Sequence, residues 1–253
     1  MLVGYRFVIA ALCIAVLALI TKRSFTRHLG KGVLLGICLF LIYAPQTIGL
    51  KFTTASNSAF ITGLFVMFVP LFAWMVFRVK AGHQKVAAVI VAGIGLWLLT
   101  GGLTDVNAGD VMTLITAAAY GMHIVLGDRY MKSGCDPYML TFQQFSVTGI
   151  LSILGAVIIG DSFNIDIRTT GIIIFLALLP TLSAFLIQMI VQKFENPVKV
   201  AIIFSLEPVF AAIFAWTLGG ESFIPLRALG GAVIVSAMIL AEVPLTKRGV
   251  ERD

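Results

Sequence analysis

The chain has 253 residues, of which 59% are hydrophobic and only 12% charged, with a net charge of +6 and a mean hydropathy of +1.03. Soluble domains carry about 25% charged residues, so a chain this poor in charge cannot cover a water-facing surface. A soluble enzyme, a disordered tail and a nucleic-acid-binding domain are excluded, and most of the chain is expected to lie in lipid.

A bilayer core takes about 20 mostly apolar residues per helix. That window predicts nine spans, at residues 2–20, 32–50, 55–77, 86–101, 110–127, 138–160, 171–192, 197–218 and 226–244. The first is followed by Lys22, Arg23 and Arg27 and by no small-residue cleavage site, so it reads as a retained span and not as a signal peptide. No connecting segment is long enough to fold as a domain. The loops after spans one, three, five and seven, with the C-terminal tail, share one side. They carry Lys22, Arg23, Arg27, Lys31, Arg78, Lys80, Lys85, Arg129, Lys132, Lys193, Lys199, Lys247, Arg248 and Arg252, fourteen of the eighteen Lys and Arg. The other side holds Lys51, Arg168 and Arg227, and Arg6 lies within span one. Cationic loops stay in the cytoplasm, which predicts a cell-membrane protein with its C-terminus inside and Met1 outside. The basic balance is a topology signal, and nucleic acid is not an expected partner. Cys13, Cys38 and Cys135 show no paired or ligand-like spacing and read as structural thiols.

Shifting the chain by 142 residues lays its second half on its first. Gln46, Ile48, Lys51, Phe52, Ala59, Ile61, Leu64, Phe68 and Phe72-Ala73-Trp74 fall on Gln188, Ile190, Lys193, Phe194, Ala201, Ile203, Leu206, Phe210 and Phe214-Ala215-Trp216. Spans two, three and four thus map onto seven, eight and nine. Five spans separate each pair, so the copies are inverted, an arrangement found in secondary transporters. Span one falls more weakly on span six, and span five has no partner. The predicted fold is therefore an all-α integral membrane protein with nine transmembrane helices from an inverted five-plus-five repeat. Its first helix is missing, with the partner of span five expected before residue 1. The two repeats are placed at residues 1–103 and 104–253.

Polar groups inside spans are costly and are functional candidates. Thr113, Thr116, Tyr120 and His123 share one face of span five, and Thr141, Gln144, Thr148 and Ser152 one face of span six. Span seven carries Thr181, Gln188 and Gln192, and span two carries Tyr43 and Gln46 one turn apart. Interhelical hydrogen bonds explain any single stripe. Four stripes in one inverted repeat favour a shared wet cavity, with Tyr43, Gln46, Tyr120, His123, Gln144, Gln188 and Glu207 as its candidate substrate pathway. Glu207, followed by Pro208, sits mid-span eight and reads either as a substrate-facing or coupling carboxylate or as a partner of Arg6. His123 is a second coupling candidate, with a hydrogen-bonding core role as its alternative. Arg6 is expected to snorkel, with anion contact as the alternative. Small residues spaced by four, Gly32/Gly36, Ala88/Ala92 and Ala228/Ala232/Ser236, predict close helix packing, spans four and nine meeting each other or a second protomer.

Phe204-Ser205-Leu206-Glu207-Pro208-Val209-Phe210-Ala211-Ala212, followed by Trp216 and Glu221, resembles the second-domain signature of the drug/metabolite transporter superfamily, in its ten-helix branch of two EamA-type domains. Gly109-Asp110 running to His123, Asp136-Pro137 and Gln143-Gln144 resemble the start of that second domain. Thr53-Thr54-Ala55-Ser56-Asn57 through Phe60-Ile61-Thr62-Gly63-Leu64 to Pro70 resembles the first. The family's first helix, with its Trp-Gly pair, has no counterpart here. The resemblance implies a permease or exporter of small metabolites, amino acids and drugs among them, driven by an ion gradient. No phosphate-binding G-x-x-x-x-G-K-[ST] loop occurs, and no cofactor, metal site or catalytic residue is expected. The alternatives are an integral-membrane enzyme acting on lipid, for which His28, His83 and His123 lack ligand spacing, and a passive channel or scaffold.

Overall fold

The computed structural model describes residues 1–53, 55–78, 81–101, 107–161, 166–218 and 222–242. Within them the chain is built of helices: α1 (Leu2–Ile20), α2 (Leu29–Gly49), α3 (Ala55–Gly63), α4 (Phe65–Phe77), α5 (His83–Thr100), α6 (Ala108–Lys132), α7 (Pro137–Ile158), α8 (Ile167–Leu176), a π-helical turn (Ala177–Ser183), α9 (Ala184–Val191), α10 (Pro197–Phe204), α11 (Glu207–Thr217) and α12 (Pro225–Glu242). Five stretches are long and apolar enough to cross a bilayer: Leu2–Ile20, Leu29–Gly49, Ala108–Lys132, Pro137–Ile158 and Thr169–Val191. Ile61–Phe77, His83–Leu99 and Pro225–Ala237 are shorter apolar helices. Lys80, Glu221 and the cationic tail with Lys247, Arg248 and Arg252 lie outside the described residues.

Short polar residues start the helices where a buried N–H would otherwise go unpaired. Asn107 and Asp110 form a reciprocal capping box at α6. Asp136 accepts from Tyr138 N (3.0 Å), Asp166 from Thr169 N (3.1 Å) and Asn196 from Val198 N (2.9 Å).

Three predicted spans are not continuous α-helices. Span three breaks at Leu64 and span eight at Ser205–Leu206. Leu64 and Leu206 are repeat equivalents, and each closes the same tight turn: Leu64 N bonds Ile61 O and Leu206 N bonds Ile203 O, both at 3.1 Å. The repeat thus extends to the register of its break. Span seven carries the π-turn around Pro180. Proline has no N–H for the carbonyl four residues back, here that of Leu176, and the Thr181 hydroxyl donates to that carbonyl at 2.8 Å instead.

Packing follows the small residues, with one correction. Gly32 and Gly36 let α2 close on Gln143 and Val147 of α7. Helices α5 and α12 pack along each other within the chain, and Ala88 and Ala92 face inward as expected. On α12, however, Gly230, Ile234 and Ala237 point in, while Ala232 and Ser236 are exposed. Gly95 and Gly230 bring the two backbones together, and this contact fixes which face of α12 turns inward. A Cβ on Gly230 would sit 2.3 Å from Leu99 N. Gly230→Ala is therefore expected to lower stability by about 1–3 kcal/mol, read as an earlier unfolding transition in detergent. Gly171→Ala, where a Cβ meets nothing within 4 Å, should cause no loss.

Two features position the site. Near the end of the bundle that carries the basic loops, Val66, Val69, Ala88, Val125, Ala201 and Ile202 form a closed apolar core. At the same end Arg23 pairs with Asp136, and Gln143 donates to Phe25 O (2.8 Å) and Arg27 O (3.0 Å), tying the α1–α2 loop to α7. Helix α6 packs on α2, α3 and α4. On α9 and α11, Ile187, Phe210, Ile213 and Phe214 are exposed.

Candidate functional site

A cavity of about 430 Å³ lies between α1, α2, α6, the π-turn, α9, α10 and α11. Its wall includes Arg6, Tyr43, Tyr120, Phe185, Gln188 and Glu207, with Pro180, Ile203, Phe204 and Phe210. Four of the seven residues predicted for the pathway therefore meet here: Tyr43, Tyr120, Gln188 and Glu207.

Arg6 supplies the cationic pole. Its Nη2 donates to the Tyr43 hydroxyl at 3.2 Å, and its Nε donates to Thr181 Oγ1. The guanidinium also lies 4.9 Å from the Tyr43 ring centroid, within cation–π range. Two neutral hydroxyl partners orient the fork without neutralising it. Glu207 supplies the anionic pole from the first turn of α11, where the helix dipole favours a negative charge. Among the described residues Glu207 forms no ion pair with Arg6 or any other cation. The floor is aromatic, with the Tyr120 ring 4.5 Å from Phe65 and 6.3 Å from Phe204.

The other three predicted residues lie elsewhere. Gln46 donates to Thr62 Oγ1 at 3.0 Å. His123 and Gln144 are fully buried and pair with each other, Nε2 to Oε1 at 2.7 Å. The threonine stripes likewise serve as interhelical and backbone links. Thr113 donates to Gly109 O (2.9 Å), Thr116 to Ile42 O (3.0 Å), Thr141 to Pro137 O (2.7 Å) and Thr148 to Gly36 O (3.1 Å). A hydroxyl in a dry interior takes the nearest carbonyl, one turn back or on the next helix. That outlet serves the threonines, while among the described residues His123 Nδ1, Gln144 Nε2 and Ser152 Oγ of the same stripes stay buried without a partner.

Sequence reasoning placed Arg6 at the surface, and the structure turns it into the cavity. Lys199 and Arg227 stand at the very starts of spans eight and nine, whereas Arg6 stands a full turn inside span one, and that was its signal. Thr181, its partner 175 residues away, had no comparable mark. Among the described residues no three His, Cys, Asp or Glu side chains gather as a metal site.

The chain matches the EamA-like transporter family over residues 1–101 and again over 107–242. An uncharacterized transporter of Archaeoglobus fulgidus is 32% identical over 212 residues, covering 84% of this chain and 68% of the relative. The uncharacterized transporter YyaM of Bacillus subtilis is 23% identical over 94% of this chain and 82% of its own length. A crystal structure of a protein 17% identical superposes with a TM-score of 0.84 over 95% of this chain and 86% of that one, a likeness of fold. A family match that spans both halves of the chain, on an all-helical apolar fold, places this protein in the EamA-like transporter family.

Proposed function

We propose that this protein is a secondary transporter in the cell membrane that carries small zwitterionic metabolites, amino acids among them, by alternating access. The observation that carries the reading is the pairing of unneutralised opposite charges, Arg6 and Glu207, in one aromatic cavity. Arg6 and Glu207 stand apart in the cavity wall, Glu207 exposed and Arg6 half-buried, so each charge is open to a partner brought by the substrate. A substrate with a carboxylate for Arg6 and an ammonium for Glu207 satisfies both at once. At about 430 Å³ the cavity falls within the range of small-molecule sites.

The two repeats, 1–103 and 104–253, are read as the two halves that rock about this site. With the basic loops and the C-terminus in the cytoplasm, the closed apolar core is the cytoplasmic side and the cavity belongs to the outer half. Coupling is assigned to Glu207. His123 is sealed against Gln144, away from the cavity, whereas a free carboxylate in the cavity wall holds either a proton or the substrate ammonium. Such competition links proton movement one way to substrate movement the other.

The test is counterflow in proteoliposomes preloaded with neutral amino acids, organic cations or organic anions. Labelled neutral amino acids are expected to exchange well above protein-free liposomes. Exchange confined to the cations or to the anions would reject the zwitterion reading.

A further inference from the structure

Helix α9, like α10, is only eight residues long; it is the one bounded on one side by the π-turn and on the other by the turn at Gln192–Asn196. Its outer face, with Ile187 and Val191, is exposed. Its inner end meets α6 at Gly127, where a Cβ would lie 2.5 Å from Gln192 Oε1 and 3.0 Å from Met189 Cε. Gln192 Nε2 donates to Ile124 O of α6 at 2.9 Å, while its Oε1 has no partner among the described residues. One turn earlier Gln188 is 3% exposed and lines the cavity, and its Nε2 is likewise unpaired among the described residues. Two amides, each with an unpaired group among the described residues, thus run from the cavity towards the basic end along the α6–α9 seam. Each unpaired buried group carries its full desolvation cost; His123 Nδ1 and Gln144 Nε2 bear it too, but only the α6–α9 pair adjoins the cavity, through Gln188. A seam that opens to water and substrate uses that pair.

The π-turn connects this seam to the cavity. The fully buried Thr181 hydroxyl donates to the carbonyl that Pro180 leaves free, and it also accepts from Arg6 Nε. Single π-turns concentrate at functional sites and can relax towards α-helix by releasing a residue of register.

Resting on the transport reading above, we propose that α9 is the gate at the basic end, hinged at the π-turn, latched to α6 by Gln192 and tied to the cavity by the Arg6–Thr181 bond. A substrate carboxylate at Arg6 draws the guanidinium off Thr181. The π-turn then shifts register, α9 rotates, and Gln192 leaves Ile124 O. Gln188 and Gln192 become the lining of the opened seam, and both are positioning residues for release.

The gate is tested without substrate, so that its failure is separable from failure of the transport reading. Met189→Cys, in the full chain in sealed vesicles of either orientation, is labelled with a membrane-impermeant maleimide and the site is mapped by peptide mass. Mapping separates it from Cys13, Cys38 and Cys135. Slow labelling is expected from the basic end alone. Gln192→Ala should accelerate it by roughly five- to tenfold, the effect of one interhelical hydrogen bond. Thr181→Val, which cuts the tie to Arg6 without touching the seam, should accelerate it too. Thr148→Val removes an equally buried hydroxyl elsewhere and should leave the rate unchanged. Labelling from the opposite end, an unchanged rate in Gln192→Ala, or equal acceleration by Thr148→Val would overturn the proposal. If Gln192→Ala does not insert, Gln192→Asn, too short to reach Ile124 O, takes its place.

Discussion

Glu207→Gln should abolish substrate accumulation driven by a proton gradient while leaving ungated exchange in place at a higher substrate concentration. The amide keeps the shape of the side chain and its place in the first turn of α11, but it neither binds nor releases a proton. Substrate and proton then no longer compete for one group, and the gradient loses its grip on the cycle. The ammonium of the substrate keeps a hydrogen-bond acceptor in the amide oxygen but loses a charge-assisted one, which is roughly twice as strong. Half-saturation for exchange is therefore expected to rise about tenfold, with the maximal exchange rate little changed. Parallel measurements in proteoliposomes, with and without a pH step, separate the two effects. Accumulation at the wild-type level in the variant would remove Glu207 from coupling and leave it a binding group.

Arg6→Gln should be the more damaging change for binding itself. The guanidinium reaches Tyr43 and Thr181 from α1 and is the cationic pole of the cavity. Truncating one side of a desolvated charge pair costs about 2–5 kcal/mol, or roughly 30- to 5,000-fold in affinity. The loss should appear in half-saturation for any substrate with a carboxylate. Arg6→Lys retains the charge but not the fork, so an ammonium cannot hold both hydroxyls and a carboxylate in the same geometry. It is expected to fall between the two, and titration of exchange against substrate concentration ranks all three.

Sequence and structure agree where a signal repeats along the chain. Apolar windows located the helical regions because lipid leaves few alternatives. The identities from Gln46 to Trp74 against Gln188 to Trp216 found the repeat because they outnumber chance. The breaks at Leu64 and Leu206 were not legible, since no proline stands at equivalent positions near them: Pro70 and Pro208 are offset. Pro180 drew no reading in span seven, and the π-turn around it, where the Thr181 hydroxyl takes the Leu176 carbonyl, appears only in the structure. The polar stripes left the choice between a wet cavity and interhelical bonds open for a different reason. Periodicity shows which residues share a face, not whether that face meets water or a neighbouring helix. Tyr120 and His123 lie three residues apart on α6, yet one enters the cavity while the other is sealed against Gln144.

The most direct measurement of the two-pole site crosses the two variants with substrate analogues that lack one charge. Competition against labelled exchange is measured for the parent amino acid, its methyl ester and its N-acetyl derivative, in the wild type, Arg6→Gln and Glu207→Gln. Two poles predict a reciprocal pattern. The wild type prefers the parent over both analogues, Arg6→Gln loses its preference over the ester alone, and Glu207→Gln loses its preference over the N-acetyl form alone. Equal weakening of all three ligands by either variant would contradict a site in which Arg6 holds the carboxylate and Glu207 the ammonium.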